Sequence, residues 1–425
     1  MTLAKFKLSE FTELLDSDGS SNTHKGPYRI LVERLLKTKS PKDRTGPRLF
    51  TLAMAGRMIG IDQKTIRTCE KLEIIPPLPR KAPRMSHGTM VSPIEGVPLS
   101  SINILRDHYK KSKKFELNET GACVVAVSNQ KGGVGKSGTS NNLSQGLALM
   151  GYRVCIIDHD SQATQTANYG MIGDDINTDG FTDAEVQQLR ELYVSDDQTL
   201  TPFYDGEEST LHYALKDTAW DNVKIIPTNK SLFTAELNFY SRYQMALSQA
   251  STIEEEDVIK HEHLHKLAEG IETIKDDFDV IIIDGPPSLS MFSLNIMAAA
   301  DGIIIPMPPK IQDIASTISY QETIANLLHS HKVKEPSFLG IVSTLFQPQK
   351  KRTHVLLYEI FKEAFTSKYH FKTIIKNVAD IEEAYSEYLS PYEYDKTSKA
   401  TRKMLMDFCV EVDELITEIK GKEQY

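Results

Sequence analysis

At 425 residues the chain is too long for one average domain, and two or three are expected. Its apolar share of 40% and charged share of 25% are ordinary for a soluble protein with a real core, and no apolar run approaches the ~20 residues of a membrane span. The net charge of −9 hides an asymmetry, because residues 1–120 carry 22 Lys and Arg against 13 Asp and Glu, and the remainder 27 against 45. A basic end on an acidic body points to nucleic acid as a partner of the basic part, although unevenly solvated faces give the same numbers. The start "MTLAKFKLSEFTELL" lacks the apolar run of a signal peptide, and Cys69, Cys123, Cys155 and Cys409 lie far apart without C-x-x-C spacing. The expectation is a soluble intracellular protein with four core thiols.

In chain order, residues 1–44 are expected to form a helical, dimerising segment. Phe6, Leu8, Phe11, Leu14 and Leu15, then Ile30, Leu31, Leu35 and Leu36, recur at helical spacing on either side of "DSDGSSNTHKG". Residues 45–108 follow as a candidate winged helix-turn-helix domain. A short apolar helix over Leu52 to Ile59 meets a turn at Gly60 and then a second helix with Asp62 as its N-cap. The Pro-rich, basic stretch "LEIIPPLPRKAPRMSHGTMVSPIEGVPLS" is what a wing beside that helix would need. Gln63, Lys64, Arg67 and Thr68 fall on its exposed side and are residue types that reach base edges and phosphates. An ordinary helical hairpin with a solvated face fits the same pattern.

A charged linker over 109–121 leads into a domain over 122–425 with a different pattern. "ACVVAVS", "YRVCIID", "DVIIIDGPP" and "GIIIPMPP" are apolar runs separated by helical stretches, among them a helix ending at Gly151. They predict an α/β fold, a parallel twisted sheet with helices on both faces. The acidic stretch of residues 171–210 is expected to be surface structure.

Within this domain, "AVSNQKGGVGKSGTSNN" (126–142) runs from a strand into a helix with Gly132, Gly133 and Gly135 free to turn their backbone N–H groups toward a phosphate. Lys136 can reach the β- and γ-phosphates, and Ser137 is placed for Mg²⁺. Gln130 stands where the strict loop pattern has glycine, but the context of strand, loop and helix supplies what the mechanism needs. Asp284 ends "VIIID", where a carboxylate can hold water on Mg²⁺. In "VCIIDHDSQ", Asp158 and Asp160 leave a strand tip at alternating positions, so one should face the crevice and the other brace the loop.

Together "KGGVGKS", "DHDSQ" and "VIIIDGPP" resemble the deviant phosphate-loop (deviant Walker A) family of P-loop NTPases that includes the ParA partition ATPases, MinD and the nitrogenase iron protein. The resemblance covers about 123–410 and implies ATP, ADP and Mg²⁺ as ligands. Lys131 matches the signature lysine that reaches the phosphates of the other subunit in a sandwich homodimer. By the same resemblance Lys136 is the ordinary loop lysine and Asp160 the water-orienting carboxylate. Ser137, Asp160 and Asp284 serve the metal, and Lys131, Gly132, Gly133, Val134, Gly135, Lys136, Ser137 and Gly138 wrap the phosphates. Gly138 departs from the family, which often has a second hydroxyl residue there.

The only cysteine beyond the Asp284 strand is Cys409, too few to ligate an iron–sulfur cluster. The end "VEVDELITEIKGKEQY" is too acidic for an anionic membrane. The larger ParA class, with its N-terminal helix-turn-helix, remains. It implies a slow, cytoplasmic and nucleoid-associated ATPase that binds nonspecific DNA as the ATP dimer and operator DNA in the ADP or apo form. It also implies a ParB-type centromere-binding partner that stimulates hydrolysis. Lys351, Arg352, Lys399 and Arg402 are candidates for the nonspecific phosphate contacts. A nucleotide-sensing repressor and a MinD-like positioning ATPase are the alternatives. The adenine pocket is expected near "STLFQP" (343–348), and the clustered Tyr385, Tyr388, Tyr392 and Tyr394 are read as packing.

Overall fold

The computed structural model describes residues 49–86, 89–113, 121–173, 181–330, 333–347, 352–364, 369–387 and 389–422. The expected segment 1–44, most of the linker, Lys351 and Tyr388 lie outside the described residues.

The described chain starts with α1 (Leu52–Ile59), whose N-cap Thr51 accepts the Met54 N–H, and stops at Gly60 with φ +73°. Asp62 caps α2 (Gln63–Lys71), accepting the N–H groups of Lys64 and Thr65 at 2.7 and 2.9 Å. A short antiparallel hairpin follows, β1 (Arg84–Ser86) with β2 (Thr89–Val91), and then α3 (Leu99–His108). Ala55, Ile59, Ile66, Cys69, Ile102 and Leu105 close a core that runs on without a break into the core under the large sheet. Arg106, 3% exposed, donates from α3 to the Leu149 carbonyl at 2.6 Å, and Asn103 donates to Asp221 at 3.1 Å. The basic module is thus seated on the α/β body.

The body is built from β3 (Cys123–Val127), α4 (Lys136–Met150), β4 (Val154–Asp158), α5 (Thr164–Asn168), α6 (Asp183–Leu192), α7 (Thr201–Asp205), β5 (Lys216–Asp217) and β6 (Val223–Ile226). It continues through α8 (Ser231–Gln249), α9 (Ile253–Leu264), α10 (Lys266–Glu272), β7 (Val280–Asp284), α11 (Met291–Ala299), β8 (Gly302–Met307) and α12 (Ile311–Ser330). It ends with β9 (Phe338–Phe346), α13 (Arg352–Ala364), β10 (His370–Lys376), α14 (Ala379–Ser386) and α15 (Lys399–Lys422).

Eight strands lie in the order β10-β9-β8-β3-β7-β4-β6-β5. Each neighbouring pair is parallel except the last, where β5 runs antiparallel to β6, so the sheet is mixed and not purely parallel as expected. A two-residue edge strand needs no crossover helix, and its sequence carries no apolar run to announce it. Residues of β3 alternate between two cores. Cys123, Val125 and Val127 meet α4 and α15, while Val124 and Ala126 meet the α8, α10 and α11 side. Each fully buried Val or Ile of this kind contributes about 1.5–3 kcal/mol.

The acidic stretch expected on the surface is only partly there. Leu189, Leu192, Val194, Leu200, Phe203 and Tyr204 are buried. Asp183, Asp196 and Asp197 are exposed, while Leu200, Phe203 and Tyr204 join the core on one sheet face, a division that net charge cannot reveal. All four cysteines are free and buried, as expected. Among the described residues no helix is long and apolar enough to cross a membrane.

The register sets the tips of β3, β7 and β4 level, with Val127 beside Asp284 and Asp284 beside Asp158. The carboxyl ends of these three adjacent strands open the crevice where open α/β sheets take ligands.

Candidate functional site

The loop after β3 is pinned before it turns. Asn129, fully buried, donates to the Pro306 carbonyl at 2.9 Å and the Thr317 hydroxyl at 3.0 Å, and accepts the Lys131 N–H at 3.1 Å. Gly133 and Gly135 then take φ of +71° and +92°, a region closed to most side chains. A Cβ at Gly132 or Gly133 would meet no atom within 4 Å, so this stretch of the loop is open to a ligand. Val134 is buried, and its carbonyl accepts the Thr344 hydroxyl at 2.7 Å. Gly135 caps α4 without a side chain, so the first-turn N–H groups and the helix dipole are left for an anion.

Around this cradle stand the charged groups. Lys136 is 7% exposed and donates from Nζ to the Lys131 carbonyl at 3.1 Å. Burial pulls its pKa down, while the nearby Asp284 and Asp160 carboxylates hold it up. Asp284 is fully buried. One of its oxygens accepts the Ser140 hydroxyl at 2.8 Å, and the other, Oδ2, is buried with no hydrogen-bond partner among the described residues. Burial pushes this carboxyl up to about 6, against the hydroxyls of Ser137 and Ser140 and the charge of Lys136.

The two carboxylates at the β4 tip have different partners, and the braced one holds the following helix instead of the phosphate loop. Asp158 accepts the Thr166 N–H at 2.7 Å and its hydroxyl at 2.8 Å, which braces α5; burial and then Asp284 push it up to about 8. The carboxylate of Asp160, 8% exposed, accepts the Gln162 N–H at 3.0 Å and is raised by burial while that bond and Lys136 lower it. Between them His159 is buried against Tyr204, with Nε2 2.7 Å from the phenol oxygen, and its backbone N–H joins the Asp284 carbonyl at 3.0 Å. Burial brings its imidazole down to about 4, so it is neutral.

These residues fit a magnesium ion. The orphaned Oδ2 of Asp284 is a costly acceptor with nothing to accept, and Ser137 lies at the same carboxylate. A hydrated cation would satisfy both. Lys131 stands apart from the cradle. Its carbonyl serves Lys136, but its half-exposed side chain turns to Asp313, 3.8 Å away, which also meets Lys310 at 3.8 Å.

Sequence reading missed Asn129, Ser140 and Asp313, and placed Thr344 only within the stretch expected near the adenine, whereas its hydroxyl meets the phosphate loop at Val134. Ser140 could have been found, since it lies three residues from Ser137 on one helix face. Thr344 gave no such signal, being 210 residues from its partner.

The candidates for DNA fall into separate places. Gln63, Lys64, Arg67 and Thr68 are all exposed on α2, opposite its buried Ile66 and Cys69. Arg352 and Lys399 are exposed first residues of α13 and α15. Arg402 is half-buried and spends its guanidinium on the Pro391, Tyr394 and Asp395 carbonyls, at 3.3, 2.8 and 3.4 Å.

Residues 122–334 match a family model described as an AAA domain. SopA of Escherichia coli K12 is 29% identical over 296 residues, covering 69% of this chain and 68% of SopA. The sporulation initiation inhibitor protein Soj of Bacillus subtilis 168 is 26% identical over 289 residues, covering 68% of this chain and 97% of Soj. A solved structure titled as a partition protein shares the fold at a TM-score of 0.58 and 16% identity, over 91% of this chain and 93% of its own. An ATP complex of McdA from Cyanothece does so at 0.53 and 18%, over 69% and 97%. The chain therefore belongs to the AAA-domain family of ParA- and SopA-type partition ATPases, P-loop ATPases with a deviant phosphate loop.

Proposed function

We propose that the chain is a DNA-segregation ATPase whose active site is completed only when two copies meet. The observation that carries this reading is the contrast between the two loop lysines. Lys136 is buried within its own cradle, whereas Lys131 is half-exposed and points out of it. Lys136 and the α4 N-terminus are placed to hold the β- and γ-phosphates of ATP, and Ser137 and Asp284 would hold Mg²⁺, which would supply charge neutralisation for phosphoryl transfer. Asp160, whose second oxygen accepts no hydrogen bond among the described residues, orients the attacking water. Lys131 of each copy reaches the phosphates of the other. Hydrolysis by the chain alone is slow, and a ParB-type centromere-bound partner accelerates it in the cytoplasm, at the nucleoid.

In the ATP dimer, Arg352 and Lys399 contact the backbone of nonspecific DNA. Replacing Arg352 by alanine should weaken ATP-dependent binding to random duplex about 10-fold at physiological salt and flatten its salt dependence by about one charge. Nucleotide affinity should stay unchanged. Equal DNA affinity in the variant and its parent would remove Arg352 from the interface.

The module over 45–108 serves as a winged helix-turn-helix that reads operator DNA in the ADP or apo form, with α2 as recognition helix. Because this module shares its core with the body, deleting it would uncover apolar surface, and point variants are the cleaner test. Arg67→Ala should cost about 1–3 kcal/mol in binding to the DNA upstream of its own reading frame and leave ATP hydrolysis intact. Unaltered operator binding in Arg67→Ala and Lys64→Ala would sink α2 as the reader.

Positioning on a membrane in the manner of MinD is disfavoured by α15, whose apolar residues Leu405, Phe408, Cys409, Val412 and Ile416 are packed in the core.

A further inference from the structure

We propose that Tyr385 is a nucleotide-contacting residue, its phenol hydroxyl standing in for the side chain that Gly138 lacks and meeting the α-phosphate and ribose end of a bound nucleotide. Gly138 is the third residue of α4, a position where glycine is disfavoured relative to alanine. Crowding does not demand it. A Cβ there would meet only the Oη and Cε2 of Tyr385, at 3.7 and 3.8 Å, both ordinary contacts. The first turn of the phosphate helix therefore has a gap on one side, and a phenol from α14 roofs it.

The phenol is held by its neighbours. Its hydroxyl donates to the Gly138 carbonyl at 3.3 Å, a long bond readily exchanged for a better acceptor, and the Asn141 and Asn142 side chains face its oxygen. Burial pushes its pKa up to about 12, so it keeps its proton and remains a donor at any physiological pH. With the terminal phosphates against Gly132 to Ser137, a route for the α-phosphate and ribose runs past the first turn of α4, where Gly138 is the next residue. A hydrogen bond to a charged oxygen there is of the stronger kind.

This rests on the nucleotide reading of the loop, for which the ADP affinity of the parent protein is the independent control. Two probes separate the ends of the ligand, namely ADP and inorganic pyrophosphate, which fills the β and γ positions of the cradle without an α-phosphate, each measured by calorimetry with Mg²⁺. Tyr385→Phe should bind ADP about 10-fold more weakly while pyrophosphate binding is unchanged. Gly138→Ser in the Tyr385→Phe background should restore most of the ADP affinity, because the new hydroxyl fills the same gap. An unchanged ADP affinity in Tyr385→Phe would overturn the proposal. So would an equal loss for both probes, or a loss that Gly138→Ser does not mend, since either marks the phenol as packing alone.

Discussion

Lys136→Ala should abolish most ATP hydrolysis, lowering phosphate release at saturating ATP by about 10²–10³-fold, the effect of removing one preorganised electrostatic donor from a water-poor site. The structure explains why so large a loss is expected from one side chain. The Lys136 ammonium is buried, and Asp284 and Asp160 act on it as counter-charges. Without it those two carboxylates face each other and the incoming phosphates with no protein cation between them. ATP affinity should fall together with the rate, whereas the apo fold should be little affected, because the same burial already penalises the charged lysine. A variant that hydrolyses ATP at the parental rate would show that the chemistry lies elsewhere.

Lys131→Ala should have a different signature, keeping nucleotide binding and losing what needs two chains. What Lys131 gives its own cradle is its backbone carbonyl, which receives the Lys136 ammonium at 3.1 Å and survives substitution. ADP affinity should therefore stay within about 2-fold, as for substitutions of exposed side chains away from a site. Hydrolysis should drop by about 10³-fold, the scale of a cation supplied in trans to a phosphoryl group. Sedimentation in the presence of ATP should find monomers where the parent forms dimers, and loading on random duplex should disappear with them. If the variant dimerises and loads on DNA as the parent does, Lys131 is only the surface partner of Asp313.

The elements of the site written in local backbone chemistry were legible in the sequence. The helix over Leu52 to Ile59, the cap at Asp62 and the stop of α4 at Gly151 fall where the caps and glycines put them. The phosphate loop and the carboxylates ending β4 and β7 were legible for the same reason, since glycine freedom, a helix N-terminus and an apolar run are short-range causes. Less legible were β6, β9 and β10. In β6 and β10 the sequences VKII and HFKTIIK mix apolar with charged residues that stay exposed, while FLGIVSTLF of β9 is largely buried but broken by Gly, Ser and Thr.

By itself the sequence determined that a strand, a glycine loop and a helix would make an anion site with two strand-tip carboxylates beside it. The reason is that each of these rests on neighbours a few residues apart. Only the tertiary structure decided which carboxylate is braced and which is free, and that Arg402 is tied to carbonyls while Arg352 is exposed. It also decided that Asn129 is pinned by Thr317, 188 residues away, and that the gap at Gly138 is roofed by Tyr385, 247 residues on. Such contacts depend on how the sheet's helices pack across its faces, and no spacing along the chain encodes them.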